Sequence, residues 1–295
     1  NSKKWNALVE EQLILCLETH NPSMFIFDGA FPYRGMLRAL SAFTGVQKVW
    51  MRRGTFKKGT NIPVDSISHF DLIIHPEDSI QNTIDEINHD IESISCPPIV
   101  LLDRSELLSK QSARRRLGLP MDCRVVYVQL GAGEINDIKS EINMTIKALL
   151  EYGDIRIVLG ESMLGERNTV EIDDVYLLRD YPNTVYFNAF DATIQAGGYN
   201  SYHESRKFRI PTLFYPNLNT GMDDQLARCS MAVEEGWGIV LESRNQKSIS
   251  DAIGKLLDNK PSISDSDELV DASMELANEL VSRISDLTKS KIEEE

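Results

Sequence analysis

Short apolar runs alternate with longer amphipathic stretches along most of this chain. The run Arg124 to Leu130 (R-V-V-Y-V-Q-L) shows the pattern: β-branched and aromatic residues, closed by Gly131-Ala132-Gly133, then apolar residues at helical spacing. Such alternation predicts a parallel sheet with helices on both faces. In the second half it places strands at Arg124 to Leu130, Ile155 to Leu159, Val175 to Leu178, Ala192 to Gln195, Thr212 to Tyr215 and Gly238 to Leu241. Helices are expected over about 139–151, 200–208, 223–235 and 246–257, with a long terminal helix over about 267–289. A further helix from Ser105 to about Leu117, stopped by Gly118 and Pro120, leads into the first of these strands. Together they make a complete six-strand doubly wound domain.

The first half reads differently. A helix over about 4–19 is followed by strands at Met24 to Asp28, Val46 to Met51 and Leu72 to His75, with a helix near 35–43. Ile99 to Leu102, flanked by Pro97 and Pro98, reads as the connection between two domains. The expected division is 1–103 and 104–295, with the terminal helix in the second domain. Three strands opening on a helix look like part of a Rossmann-like domain. The expectation is that preceding residues or a partner chain supply the rest; a small three-strand lobe is the other reading.

Composition narrows the class. A formal net charge of −14 disfavours nucleic acid, whose phosphates need a basic surface. No apolar run is long enough to span a bilayer, and no signal peptide is visible. Cys16, Cys96, Cys123 and Cys229 lack CxxC spacing and fit thiols of a reducing, cytoplasmic compartment. The five histidines show no metal-ligand spacing, so no metal or other cofactor is expected.

Candidate chemistry concentrates between Asp191 and Gln225. A strand runs into Gly197-Gly198, then Asn200-Ser201 opens a helix that carries Glu204 in its expected first turn. Strand, glycine turn and helix start present backbone N–H groups to a phosphate, and a carboxylate just inside the helix can accept hydrogen bonds from a ribose diol. A glycine pair alone is an ordinary turn, and Glu204 alone a favourable helix-start charge. Their spacing together points to a nucleotide-sugar site. Asp224-Gln225 follows the next strand, as a sugar contact or as a helix cap. Gly131-Ala132-Gly133 lacks the third glycine of a dinucleotide fingerprint, and Glu134 comes too early for its ribose contact, which argues against NAD. His203 and Arg114-Arg115-Arg116 read as helix surface, Trp237 as packing, and Arg52-Arg53 as an anion clamp or a solvated strand end.

The segment Ala196-Gly197-Gly198-Tyr199-Asn200-Ser201-Tyr202-His203-Glu204, with Ile210-Pro211, Tyr215-Pro216, Asp224-Gln225 and Glu235-Gly236-Trp237-Gly238, resembles the GT-B glycosyltransferases of the MurG-like and UDP-glycosyltransferase branch. The resemblance covers roughly 103–257 well and extends weakly to Phe27-Asp28-Gly29 and to Val49 to Gly54. It implies two Rossmann-like domains, the first incomplete here. It also implies transfer of a sugar from a nucleotide-sugar donor, a UDP-sugar, to a hydroxyl acceptor: a glycan, a lipid-linked group or a small molecule. Gly197, Gly198, Asn200 and Ser201 would line the donor phosphates and Glu204 would grip the ribose. Asp224 and Gln225 would contact the sugar, and Gly131 and Gly133 would face the donor. Plant-type members carry a phosphate-binding His where this chain has Ala196, so phosphate binding here would rest more on backbone dipoles. The branch's catalytic base lies in a loop that has no counterpart here; Asp28 is the one weak candidate. A UDP-sugar epimerase or hydrolase, and a non-catalytic donor-binding subunit that needs a partner, stay open beside the transferase.

Overall fold

A computed structural model describes residues 2–53, 55, 57, 66–80, 90–131, 138–161, 163, 172–219, 223–241, 243–258 and 273–294. The chain forms two compact units. One is built mainly from Asn1–Ile99 and Val270–Glu295, the other from Val100–Thr220 and Asp224–Leu269.

In the first unit, α1 (Ser2–His20) precedes β1 (Met24–Asp28), α2 (Arg34–Ser41) and β2 (Gln47–Met51). Two more strands, β3 (Leu72–Pro76) and β4 (Glu92–Cys96), complete a parallel sheet of order β1-β2-β3-β4. Alternation along β2 and β3 sends Trp50 and Ile73 to one face, where they pack with Leu17, Met36 and Leu40 from α1 and α2. Val49, Leu72 and Ile74 point to the other face. Gly35 lets α1 and α2 approach closely: a Cβ there would overlap the Asn6 carbonyl, and the Gly35 N–H donates to Asn6 Oδ1 at 2.8 Å.

Two sequence expectations change here. Strand β4 lies in a stretch given no strand, because E-S-I-S-C is polar and mostly solvent-facing, as an edge strand with one covered face is. The terminal helix, expected with the second domain, packs on the first unit. Its Leu276 and Leu280 lie one turn apart and join Val49, Leu72, Ile74 and Cys96, while Arg283 donates to both oxygens of Glu92 at 2.6 and 3.0 Å. An apolar stripe in the sequence says that a helix face is buried, and not against which sheet.

The second unit follows its expected strands closely. After α3 (Lys110–Leu117) come β5 (Arg124–Gln129), α4 (Ile138–Leu150), β6 (Ile155–Gly160) and β7 (Val175–Leu178). Then follow β8 (Ala192–Ala196), α5 (Tyr199–Phe208), β9 (Thr212–Tyr215), α6 (Gln225–Glu234), β10 (Gly238–Val240) and α7 (Gln246–Asp258); the terminal helix, Ser273–Glu294, is α8. All pairings are parallel, in the order β10-β9-β8-β5-β6-β7. This is the doubly wound order, and its direction reverses between β5 and β8, where such sheets open a ligand crevice at the strands' carboxyl ends. Residues of α4 and α7 cover one face around Val126, Val128 and Ile194. The other face packs Tyr127 and Val158 against Phe187 and Phe190 of an irregular helical turn, and Phe214 against Tyr202 and Trp237. Trp237 is a packing residue, as expected, and its Nε1–H donates to Glu235.

At the opposite end of the β5 and β8 strands, Arg114 overturns its surface reading. It is 1% exposed and donates to the carbonyls of Ala189, Met121 and Cys123 and to Asp191 Oδ2. Asp191 also accepts from Lys110 and from the Val125 amide. Burial pushes the Asp191 carboxyl up, but its bonds to Lys110 and Val125, with the charges of Lys110 and Arg114, hold it below its ordinary range. Arg115 and Arg116 are exposed, as expected. Removing one partner of a buried, hydrogen-bonded ion pair typically costs about 3–5 kcal/mol. Arg114→Ala should lose stability on that scale in urea unfolding, whereas Arg115→Ala should change it by less than about 0.5 kcal/mol. Equal, small effects would mean that Arg114 does not anchor these strands.

Candidate functional site

The two strands that flank the switch point both end in glycine. Gly131 follows β5 with φ of +94°, a left-handed conformation that side chains disfavour, and a Cβ there would sit 3.8 Å from Ala196 Cβ at the end of β8. Gly197 and Gly198 follow β8, for opposite reasons. A Cβ on Gly197 would overlap Cys229 Sγ and come within 3.3 Å of Gln225 Cβ, both on α6. Gly198 has an ordinary φ of −65°, and among the described residues nothing lies within 4 Å of where its Cβ would be. Packing among the described residues therefore requires the first glycine and not the second.

Gly198 is the N-cap of α5 and supplies no side-chain cap. The helix ladder begins with the Tyr202 N–H donating to the Gly198 carbonyl, so the amides of Tyr199, Asn200 and Ser201 come before it. They form the positive end of the helix dipole. Asn200 is exposed and Ser201 half-buried. Glu204 is one turn below Asn200 on the same helix face. It is in the second turn, not the first, because the helix starts at Tyr199. The explanation of Glu204 as a helix-start charge falls with that shift. Among the described residues the Glu204 carboxylate meets no hydrogen-bond or ion-pair partner, and desolvation pushes its pKa up to about 7. The Tyr127 hydroxyl feels the Glu204 charge and belongs to a small network: it donates to Gln129 Oε1 at 2.9 Å and accepts from Asn183 Nδ2 at 2.6 Å.

On α6, Asp224 and Gln225 have structural work. The Asp224 carboxylate caps α6 by accepting from the Ala227 N–H at 3.2 Å. Gln225 Oε1 accepts from the Asn217 N–H at 2.8 Å and ties down the loop after β9. Beside them, Arg228 is fully buried, donates to the Gly197 carbonyl at 2.9 Å and lies 5.8 Å from the Tyr199 ring centre. Sequence reasoning missed Arg228, because the group it meets is a backbone carbonyl 31 residues away.

Gly197, Gly198, Asn200, Ser201, Glu204, Gln225 and Asp224 thus gather around one glycine turn, with Gly131 on the neighbouring strand. Gly133 lies outside the described residues. Asp28, at the end of β1 in the first unit, is held by Arg53 through two bonds of 2.7 and 2.8 Å. Arg52 is not a solvated strand end: it is fully buried, 4.8 Å over the Trp50 ring, and desolvation lowers its pKa to about 10. His203 is not a surface residue either; it is buried between the rings of Tyr199 and Tyr202. No helix among the described residues is long and apolar enough to cross a membrane.

The architecture is similar to that of several solved enzymes. A UDP-GlcNAc 2-epimerase from Neisseria meningitidis bound to UDP-GlcNAc aligns with 96% of this chain and 82% of its own, at a TM-score of 0.66 and 12% identity. The spinosyn forosaminyltransferase SpnP aligns over 85% of this chain and 71% of its own (TM-score 0.53, 14% identity). The spinosyn rhamnosyltransferase SpnG complexed with thymidine diphosphate aligns over 87% and 73% (TM-score 0.52, 15% identity). The chain has the GT-B fold. In sequence, the chain is similar to two proteins named sterol 3-beta-glucosyltransferase. That of Komagataella phaffii is 28% identical over 142 residues and that of Pichia angusta 25%. These matches take in 46% of this chain and 11% of each relative's length. No family model matches the chain.

The two adjacent glycines give a direct test. Gly197→Ala forces a methyl into Cys229 and should destabilise the fold by about 1–3 kcal/mol, the usual cost of overpacking. Gly198→Ala should stay within about 1 kcal/mol of the wild type, the range of helix-cap exchanges. Thermal unfolding of both variants checks this, and equal losses would contradict the packing difference.

Proposed function

We propose that the second unit binds a nucleotide-sugar donor, a UDP-sugar, and that the protein transfers its sugar to a hydroxyl acceptor without a metal. The observation that carries this reading is Glu204: a desolvated carboxylate without a described partner, one helical turn below the glycine start of its helix. Phosphates would sit at the amides of Tyr199, Asn200 and Ser201, near Gly198 and Gly131. The ribose hydroxyls would donate to Glu204. Asp224 and Gln225 would meet the sugar through the groups left over from their capping and loop contacts. A departing diphosphate would be stabilised by the α5 dipole, worth about half a positive charge at the helix start. The names of structural neighbours support a nucleoside diphosphate, since thymidine diphosphate and UDP-GlcNAc appear among them. The sequence relatives' names favour a sterol hydroxyl as the acceptor.

A 2-epimerase is the second reading, favoured by the Neisseria neighbour, which matches nearly the whole chain. Product analysis separates the two: a glycosylated sterol from a UDP-sugar panel supports transfer, whereas an epimerised UDP-sugar without acceptor consumption supports the epimerase. Asp28, which accepts a hydrogen bond from Arg53 on each carboxylate oxygen, remains the proposed base. A donor-binding subunit that leaves chemistry to a partner would bind UDP and form neither product.

The raised pKa of Glu204 gives a pH signature. Hydroxyl donors favour the ionised carboxylate, so UDP affinity should rise with pH through about 7 and level off above it. Below that pH, binding should release a proton, measurable by calorimetry in buffers of different ionisation enthalpy. Glu204→Gln should abolish the proton release and weaken UDP by about 1–3 kcal/mol. In the unliganded protein the sign is the opposite. A carboxyl with a raised folded pKa loses stability as pH climbs from its unfolded value, near 4.3, to about 7, so Glu204→Gln should be the more stable protein at pH 8. Unchanged proton release in the variant would remove Glu204 from the site.

A further inference from the structure

We propose that Arg228 is a positioning residue for the diphosphate, acting through the Gly197 carbonyl; the inference rests on the donor-site reading above. Arg228 lies in the first turn of α6, which begins at Gln225. That is a poor place for a cation, because the dipole there is already positive. The side chain is also fully buried, which makes its charge expensive to hold. Both features run against local preference for α6.

What it does touch is the glycine turn. Its Nη1–H donates to the Gly197 carbonyl at 2.9 Å, one peptide before the N-cap of α5. That bond fixes the orientation of the peptide linking Gly197 to Gly198, and with it the direction in which the following amides point. The same turn abuts α6 through Cys229 and Gln225, so two helix starts and one guanidinium converge on it. An anion at the start of α5 would feel both dipoles and a fixed positive charge behind the loop, in a setting where buried charges are weakly screened. The guanidinium is pre-aimed at a carbonyl, and a planar fork holds such a contact with less lost freedom than an ammonium. Arg228 therefore orders the anion site from beneath and needs no contact with the ligand.

The role predicts discrimination between ligands with and without phosphates. Calorimetry with UDP and uridine would be run on the wild type, Arg228→Lys and Arg228→Gln, with thermal unfolding of each. The ratio of UDP to uridine affinity should fall about ten-fold in Arg228→Gln, the scale of one charge-assisted contact. Lysine keeps the charge but not the fork, and the ratio should fall only about three-fold. A loss shared equally by UDP and uridine in Arg228→Gln would make the residue merely structural and overturn the proposal. Should Arg228→Gln fail to fold, the lysine variant decides alone: a wild-type ratio there overturns the proposal. A wild type that binds no UDP overturns the donor-site reading itself, and this inference with it.

Discussion

The contact on which the site depends is the one between Gly197 and the first turn of α6. Strand β8 delivers the chain to that point from the centre of a six-stranded parallel sheet. There the backbone lies so close to Cys229 that no side chain fits on Gly197. Arg228 fastens the carbonyl, Asp224 decides where α6 begins, and Gln225 holds the loop that leads into it. Each of these residues serves the same end, which is to bring a second helix start beside the first.

The second unit was legible in the sequence because its strands are covered on both faces. Val125 to Val128 reads as an unbroken apolar run, Ala192 and Ile194 flank a β-branched threonine, and all six expected strands form. The first unit was less legible for a physical reason. Strand β4 owes its existence to pairing with β3 from Leu72↔Glu92 to Pro76↔Cys96, not to its own apolar content. The partner of α8 was hidden for the same reason, since Leu276 and Leu280 specify a face and not a destination. The site itself was half visible. The glycine turn and Glu204 follow a local pattern, though the helix starts one residue earlier than Asn200 and moves Glu204 down a turn.

Arginines were the part least open to sequence reading. Arg52, Arg114 and Arg228 are all buried, and in a list of residues each looks like a surface charge. Arg114 and Arg228 are stabilised by backbone carbonyls supplied from distant segments: Ala189 for the former, Gly197 for the latter. Carbonyls leave no mark in a sequence, because every residue has one. The distinction between a solvated arginine and one that organises a turn therefore appears only when the chain is folded.

That distinction also resolves an apparent conflict between the protein's charge and its proposed ligand. A chain with a net charge of −14 is a poor general attractor for phosphates. Surface charges, however, are screened beyond roughly 8–10 Å at physiological salt, whereas first-turn amides act at hydrogen-bond range. Two helix starts and one buried guanidinium can therefore outweigh a distant acidic surface locally. Two carboxylates are near: Asp224 is engaged in capping α6, and Glu204 would repel a diphosphate if it were ionised in the empty site. Its desolvation lessens this: with a pKa near 7, a large share of the group is neutral at neutral pH until donors arrive to satisfy it. On the proposed reading, phosphate sits at the start of α5 and ribose a turn deeper, so the hydroxyls separate the two anions. The ligand's hydroxyls would then favour the charged form that burial disfavours in the empty site.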